Sequence, residues 1–328
     1  MDSKNPRWQA KDLQDTDRWA YELSFDEKSQ IHEAAKGGHS LSWISQNFEA
    51  QIQQIRETLE TGTAVFLLRG LPTLQLAEGQ AMDLCIALGQ ALGTPVAQDM
   101  QGSTLVHIRA TDAAFQDAIS YAKKKDGSHA RPYETRAAFC MHSDPCDVAG
   151  LLCLDRAAGG GDSLLVSTMM IHDVIQKERP DLYKELCRPY AYARPGRKGP
   201  GRWHDIPVFS WKGAFFKSHA VPDLIRLSQL QEGIPRWKPL QHEALDFLEE
   251  VAKRQDLCFR LALEPGDFLM VNNHLVFHGR DAYEDDENST RHYLRLWLAM
   301  ANSRPLHEAH ERWFGDPRPG RIRGGYLR

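Results

Sequence analysis

No run of hydrophobic residues in the chain approaches the roughly 18 to 20 that a membrane-spanning helix needs. None of the six cysteines falls in a C-x-x-C pair, and several sit inside apolar runs such as Leu151-Leu152-Cys153-Leu154. Free thiols packed as small core residues are therefore expected, rather than a disulfide or zinc framework. Excess charge is also lacking, because 40 basic residues face 44 acidic ones and the net charge is −4. Neither nucleic acid nor a membrane is expected as a partner on that balance. The stretch Met1-Asp2-Ser3-Lys4-Asn5-Pro6-Arg7 has no apolar core of a secretion signal, so a cytoplasmic location is expected. There is no internal repeat, low-complexity tract or clear linker. The expected organisation is a polar N-terminal arm, 1–38, docking through Trp8, Trp19 and Tyr21, followed by one domain, 39–328. No exposed apolar seam can be identified, which leaves a homo-oligomer open.

What is present has the proportions of a soluble globular protein, 42% hydrophobic and 26% charged. Ile44, Phe48, Ile52 and Ile55 recur at spacings of three and four and predict a helix over 41–60, ended by Gly62. The run 63–68 reads as a buried strand stopped by Arg69-Gly70-Leu71-Pro72, and 77–92 as a second helix carrying Met82, Cys85, Leu88 and Leu92 on one side. Residues 111–136, with Lys123-Lys124-Lys125, form a long excursion with few periodic apolar positions. Short extended runs follow at 148–154, 163–167, 207–211 and 214–217, the last two joined at Lys212-Gly213. Helices are expected at 169–179, ending before Pro180, and at 240–254, and further strands at 257–263, 268–272 and 291–299. Many short strands with helices gathered outside them predict a mainly β fold, a sandwich or jelly roll with peripheral helices.

The chemistry centres on Phe139-Cys140-Met141-His142-Ser143-Asp144 and on Val276-Phe277-His278-Gly279-Arg280. Residues i and i+2 of an extended chain point the same way, so His142 and Asp144 can converge on one ion. Two histidines and one carboxylate on one face of Fe(II) leave three positions for a co-substrate and dioxygen. Alone, H-x-D is a weak pattern. Thirteen residues after His278 comes Arg291-His292-Tyr293-Leu294-Arg295-Leu296-Trp297-Leu298, which as a strand puts Arg291, Tyr293, Arg295 and Trp297 on one face. Arginines aimed together from an apolar strand need counter-charges, and small carboxylates supply them in two-pronged pairs. His274 is four residues, about 13 Å, from His278 in an extended chain, so both cannot bind one ion. Thiolates favour softer metals, so Cys140 and Cys146 are read as packing. His292 is read as a packed histidine or one supporting the site from behind. Tyr133 and Arg136 are read as surface loop residues, and His107 and Arg109 as weak candidates for substrate contact.

Together with Gly159-Gly160-Gly161-Asp162-Ser163-Leu164, Pro265-Gly266-Asp267 and Asn272-Asn273-His274, these pieces come in an order and spacing that resembles the TauD/TfdA (clavaminate-synthase-like) family of Fe(II)- and 2-oxoglutarate-dependent dioxygenases. The resemblance covers roughly 62–300. It implies a double-stranded β-helix (jelly-roll) core, Fe(II) held by His142, Asp144 and His278, and 2-oxoglutarate with its distal carboxylate on Arg291 and Ser163. The family more often has threonine where Ser163 stands; both offer a hydroxyl. Arg295 is implied to meet the co-substrate's other carboxylate or an anionic group of the substrate. The implied reaction is oxidation of an unactivated C–H bond, by hydroxylation, desaturation or ring closure, in a small polar molecule such as an amino acid, carboxylate or sulfonate. A jelly-roll metal enzyme without 2-oxoglutarate, and a non-catalytic small-molecule sensor, are the alternatives.

Overall fold

The two-residue period of the strands sets the layering. In Val65–Arg69, Val65 and Leu67 enter one apolar cluster, whereas Phe66 and Leu68 enter another. Phe268–Asn272 divides the same way, with Leu269 and Val271 set against Phe268 and Met270. The computed structural model describes residues 4–111, 132–193 and 203–326. In it the second cluster is closed by the helices Ser40–Asn47, Glu49–Thr61 and Glu78–Leu92, while the first takes inward residues from two sheets. Full burial of a side chain such as Phe268 contributes about 1.5 to 3 kcal/mol, which favours this division in the larger sheet.

The larger sheet runs Ala20–Glu22, Val65–Arg69, Phe268–Asn272, Val148–Asp155, His292–Ala299 and Thr94–Pro95, with Leu105–Ile108 also paired to His292–Ala299. Only its first pair is parallel. The smaller sheet runs Phe259–Leu261, Ser163–Ser167, Val276–Arg280 and Phe139–His142, antiparallel throughout. Among the described residues no helix is long and apolar enough to cross a membrane.

Several expectations shift. The helix expected over 41–60 is two helices broken at Phe48, which leaves helical geometry (φ −124°, ψ 18°) while its ring packs against Tyr21 and Trp43. The N-terminal segment is more structured than a loose arm. Ala20–Glu22 is an edge strand on Val65–Arg69, and Phe25–Lys36 is a helix closed by a reciprocal Ser24–Glu27 cap. Trp8 donates from Nε1 to the Thr63 carbonyl at 2.8 Å, and Trp19 is fully buried. After the Thr168–Glu178 helix, Pro180 opens a second one, Pro180–Leu186, which periodicity missed. The chain turns between Lys212 and Phe215 on Gly213 (φ 58°) and Ala214. Most of the excursion at 111–136, including Lys123, Lys124 and Lys125, lies outside the described residues.

Candidate metal centre and co-substrate cavity

Strand register builds the centre. His278 and His142 are direct partners across Val276–Arg280 and Phe139–His142, so both imidazoles leave the same face, with ring centroids 4.4 Å apart. Asp144 follows two residues after His142. Its carboxylate lies 3.8 Å from His142 Nε2 (Oδ1) and 3.5 Å from His278 Nε2 (Oδ2). One ligand atom from each of the three falls within 4.8 Å of the others, and all three residues are buried. Gly279 lets the strands close up here: a Cβ on it would stand 2.8 Å from the Phe139 carbonyl oxygen, inside contact distance, and the register shifts between His278 and Arg280.

His142 and Asp144 are each oriented from behind, whereas His278 Nδ1 is buried with no hydrogen-bond partner among the described residues. The Cys140 carbonyl accepts from His142 Nδ1 at 2.9 Å, which turns Nε2 towards Asp144, and Phe139 packs on the ring at 4.1 Å. Trp297 donates from Nε1 to Asp144 Oδ2 at 2.9 Å, and the Asp144 amide donates to Asn273 Oδ1 at 2.9 Å. Burial, with His278 beside it, pushes the His142 imidazole down to about 3, so the ring is neutral near pH 7. Burial works against charge on Asp144. Arg295, 4.0 Å away, and the hydrogen bond with His278 outweigh it and hold the carboxyl well below its usual range. A neutral imidazole at His142 and an ionised carboxylate at Asp144 are in the protonation states that bind a divalent cation.

Beside this set lies a cavity lined by Ile108, Tyr133, Leu151, Ser163, Arg280, Arg291 and Arg295, with Phe139, His142, His278 and Gly279. Arg291 lies just before the strand His292–Ala299, stacks on Tyr293 at 3.8 Å, and has Nε and Nη1 buried with no hydrogen-bond partner among the described residues. A buried guanidinium in that condition has the shape and charge to receive a carboxylate. Ser163, buried in the adjacent sheet, lines the same space. Arg295 is clamped: its Nε donates to Gln98 Oε1 at 2.7 Å, while Gln98 Nε2 donates to the Arg295 carbonyl at 2.8 Å. Arg280 donates to the Thr135 and Ala137 carbonyls, and burial with Arg291 nearby pushes it down to about 10.

His142, His278, Ser163, Arg291 and Arg295 thus line one cavity, with Asp144 beside the two histidines. Tyr133 corrects the surface-loop reading, since it lines the cavity with the Arg295 guanidinium 4.9 Å from its ring centre; Arg136 instead pairs with Asp285 near the surface. His292 turns away and meets His107. Cys146 Sγ bonds to Asn273 Nδ2 and the Val148 carbonyl, away from the ligand atoms. Gln98 and Arg280 went unforeseen. Trp297 was placed on the face of Arg295 by its two-residue spacing, but its bond to Asp144 was not read from it.

His274 enters a separate buried network. Its Nδ1 meets Lys217 Nζ at 2.7 Å and its Nε2 meets Asp147 Oδ1 at 2.7 Å; Arg323 donates to that same carboxylate at 2.8 Å. Burial holds the Lys217 amine well below its usual range, and it sits 3.9 Å from the centre of the Phe314 ring. The Asp147 carboxylate also accepts from the Met300 amide.

Two imidazoles and one carboxylate at the wall of a sheet-lined cavity are the donor set of mononuclear non-haem iron oxygenases. The model of the taurine catabolism dioxygenase TauD, TfdA family matches residues 27–297, and the chain belongs to that family. It is an enzyme, a 2-oxoglutarate-dependent non-haem iron dioxygenase that uses Fe(II), 2-oxoglutarate and dioxygen. Among its relatives is the FR-33289 synthase of Streptomyces rubellomurinus, 29% identical over 331 residues that cover 93% of each chain. Similar solved structures include asparagine oxygenase with Fe(II), 3-hydroxyasparagine and succinate (TM-score 0.65, 15% identity, 86% of this chain and 94% of that one). The non-haem iron oxygenase OrfP with iron and alpha-ketoglutaric acid gives 0.62 at 13% identity, over 85% and 93%.

Proposed function

We propose that His142, Asp144 and His278 hold Fe(II), that Arg291 and Ser163 bind the distal carboxylate of 2-oxoglutarate, and that Arg295 meets an anionic group close to the metal. On this reading the paired sheets are a double-stranded β-helix, residues 39–328 one domain behind an N-terminal arm, 1–38, and the location cytoplasmic. The observation that carries the reading is the juxtaposition of three convergent ligand atoms with a buried guanidinium whose Nε and Nη1 lack partners. A jelly-roll enzyme without a dicarboxylate co-substrate has no use for that guanidinium.

When bound, iron and 2-oxoglutarate with dioxygen supply the oxidising power: 2-oxoglutarate leaves as succinate and carbon dioxide, and one oxygen atom is left for the substrate C–H bond. The chain's own residues bind, orient and exclude water. His142 presents Nε2 because Nδ1 is committed to the Cys140 carbonyl, and Trp297 fixes Asp144 by engaging Oδ2. Tyr133, Ile108, Phe139 and Leu151 give the cavity apolar walls. Arg280 and Arg295 make it positive, which suits an anionic head group.

The substrate is a small polar molecule with a carboxylate or sulfonate, amino acids included; the two similar solved enzymes are held with 3-hydroxyasparagine and succinate, and with alpha-ketoglutaric acid. Substrate-stimulated succinate release across amino acids, betaines, sulfonates and aryloxy acids tests this. Stimulation by anionic members, lost in Arg295→Met, is expected; stimulation only by neutral or cationic compounds would overturn the substrate class. Trp297→Phe removes one hydrogen bond to Asp144 and should weaken Fe(II) binding about 10- to 100-fold, read by anaerobic titration with 2-oxoglutarate present. An unchanged affinity would detach Trp297 from the metal centre.

A further inference from the structure

A second set of side chains of metal-ligand type lies on the reverse side of the strand that carries Arg295. In the antiparallel pair formed by Leu105–Ile108 and His292–Ala299, Tyr293 is opposite Ile108 and Leu294 opposite His107. Alternation sends Ile108 into the catalytic cavity and His107, with His292 as its diagonal neighbour, to the other face. There His107 Nδ1 stands 2.8 Å from His292 Nε2 and 3.8 Å from Glu78 Oε1, Glu78 being the first residue of the helix Glu78–Leu92. The three ligand atoms lie within 4.8 Å of one another.

We propose that Glu78, His107 and His292 form a binding site for a divalent transition metal of the zinc type, separate from the catalytic centre. Zinc–nitrogen bonds of about 2.0 to 2.1 Å set the ligand atoms of a tetrahedral site about 3.3 Å apart. The separations of 2.8 and 3.8 Å bracket that edge, and the third, between His292 and Glu78, lies within 4.8 Å. Two imidazoles and one carboxylate suit zinc, copper or nickel far better than calcium or magnesium, and water completes the shell. At least one ring is neutral already, because one nitrogen of the His107–His292 pair must accept. Of the other charges acting on His292, Arg109 is the strongest and opposes a cation, while Glu78 and, more weakly, Asp155 favour one. Both histidines are half-buried, and Glu78 keeps the site open to solvent. An ion here ties the first turn of the helix to two strands, one of which bears Arg295 and is preceded by Arg291.

The test is metal stoichiometry on the full chain, stripped of metal, equilibrated with a small excess of Zn(II) and freed of unbound ion. Two equivalents are expected in the unaltered protein, one in His107→Ala or His292→Ala, and one in His142→Ala. The double variant His107→Ala/His142→Ala should bind none. Co(II) at the second site should show the visible absorption of tetrahedral coordination, lost in Glu78→Gln, a variant that leaves both strand histidines in place. A single equivalent that vanishes in His142→Ala, or a second that survives His107→Ala and His292→Ala, would overturn the proposal. A stoichiometry unmoved by His142→Ala would instead count against the catalytic reading, so the two failures stay distinct.

Discussion

Asp144→Asn and His142→Ala should each lower succinate formation by more than about 100-fold while the chain stays folded. Loss of a residue that merely supports a metal ligand costs 10- to 100-fold, and loss of a ligand should exceed that. Asn is the sharper substitution. It keeps the volume of Asp144 and an acceptor for Trp297 Nε1, yet deletes the negative charge that faces Arg295 at 4.0 Å and both histidines. The ligand role therefore separates from packing. Circular dichroism and gel filtration establish the fold, and anaerobic titration establishes iron uptake. Turnover within a few-fold of the unaltered enzyme in either variant would remove the metal assignment.

Arg291→Met should raise the KM for 2-oxoglutarate by roughly 30-fold or more, since truncating one partner of a buried charge pair costs about 2 to 5 kcal/mol. The same change should raise the melting temperature of the protein measured without 2-oxoglutarate. A buried guanidinium with Nε and Nη1 unpartnered is costly to the fold, offset only in part by the Tyr293 ring at 3.8 Å. 2-Oxoglutarate should then stabilise the unaltered protein against heat and leave the variant unmoved. Arg291→Lys should recover little, because an ammonium cannot make the two-pronged contact. A variant with unchanged KM and unchanged response to 2-oxoglutarate would show that the co-substrate lies elsewhere.

The parts of the centre that travel as short motifs were legible from the sequence. His142 and Asp144 needed only an extended chain, and Arg295 and Trp297 needed only the two-residue period. Gly279 and Asn273 sat in a matching stretch, yet their work is long-range: one lets the Phe139 carbonyl approach, the other holds the Asp144 amide from 129 residues away. Gln98 left no periodic trace, since its partner Arg295 lies 197 residues away and a lone glutamine in a turn looks solvated. Tyr133 failed for a related reason: a polar stretch with little periodicity gave no hint that it folds back over Arg295. Strand positions were close because alternation records burial directly. The break at Phe48 was not, because its spacing fits one continuous helix as well as two.

The network at Asp147 reaches further than its place in the fold suggests. Arg323, near the end of the chain, grips the carboxylate three residues beyond Asp144, and Arg304, whose carbonyl it also holds, donates to the Lys4 carbonyl near the beginning. The turn after Asp144, the segment at Arg323 and the segment at Lys4 are thereby thermodynamically linked. Firming the turn must favour the docked state of Arg323, and removing Arg323 must loosen the turn by the same free energy. The segment around Arg323 is thus a remote gauge of the turn that carries Asp144.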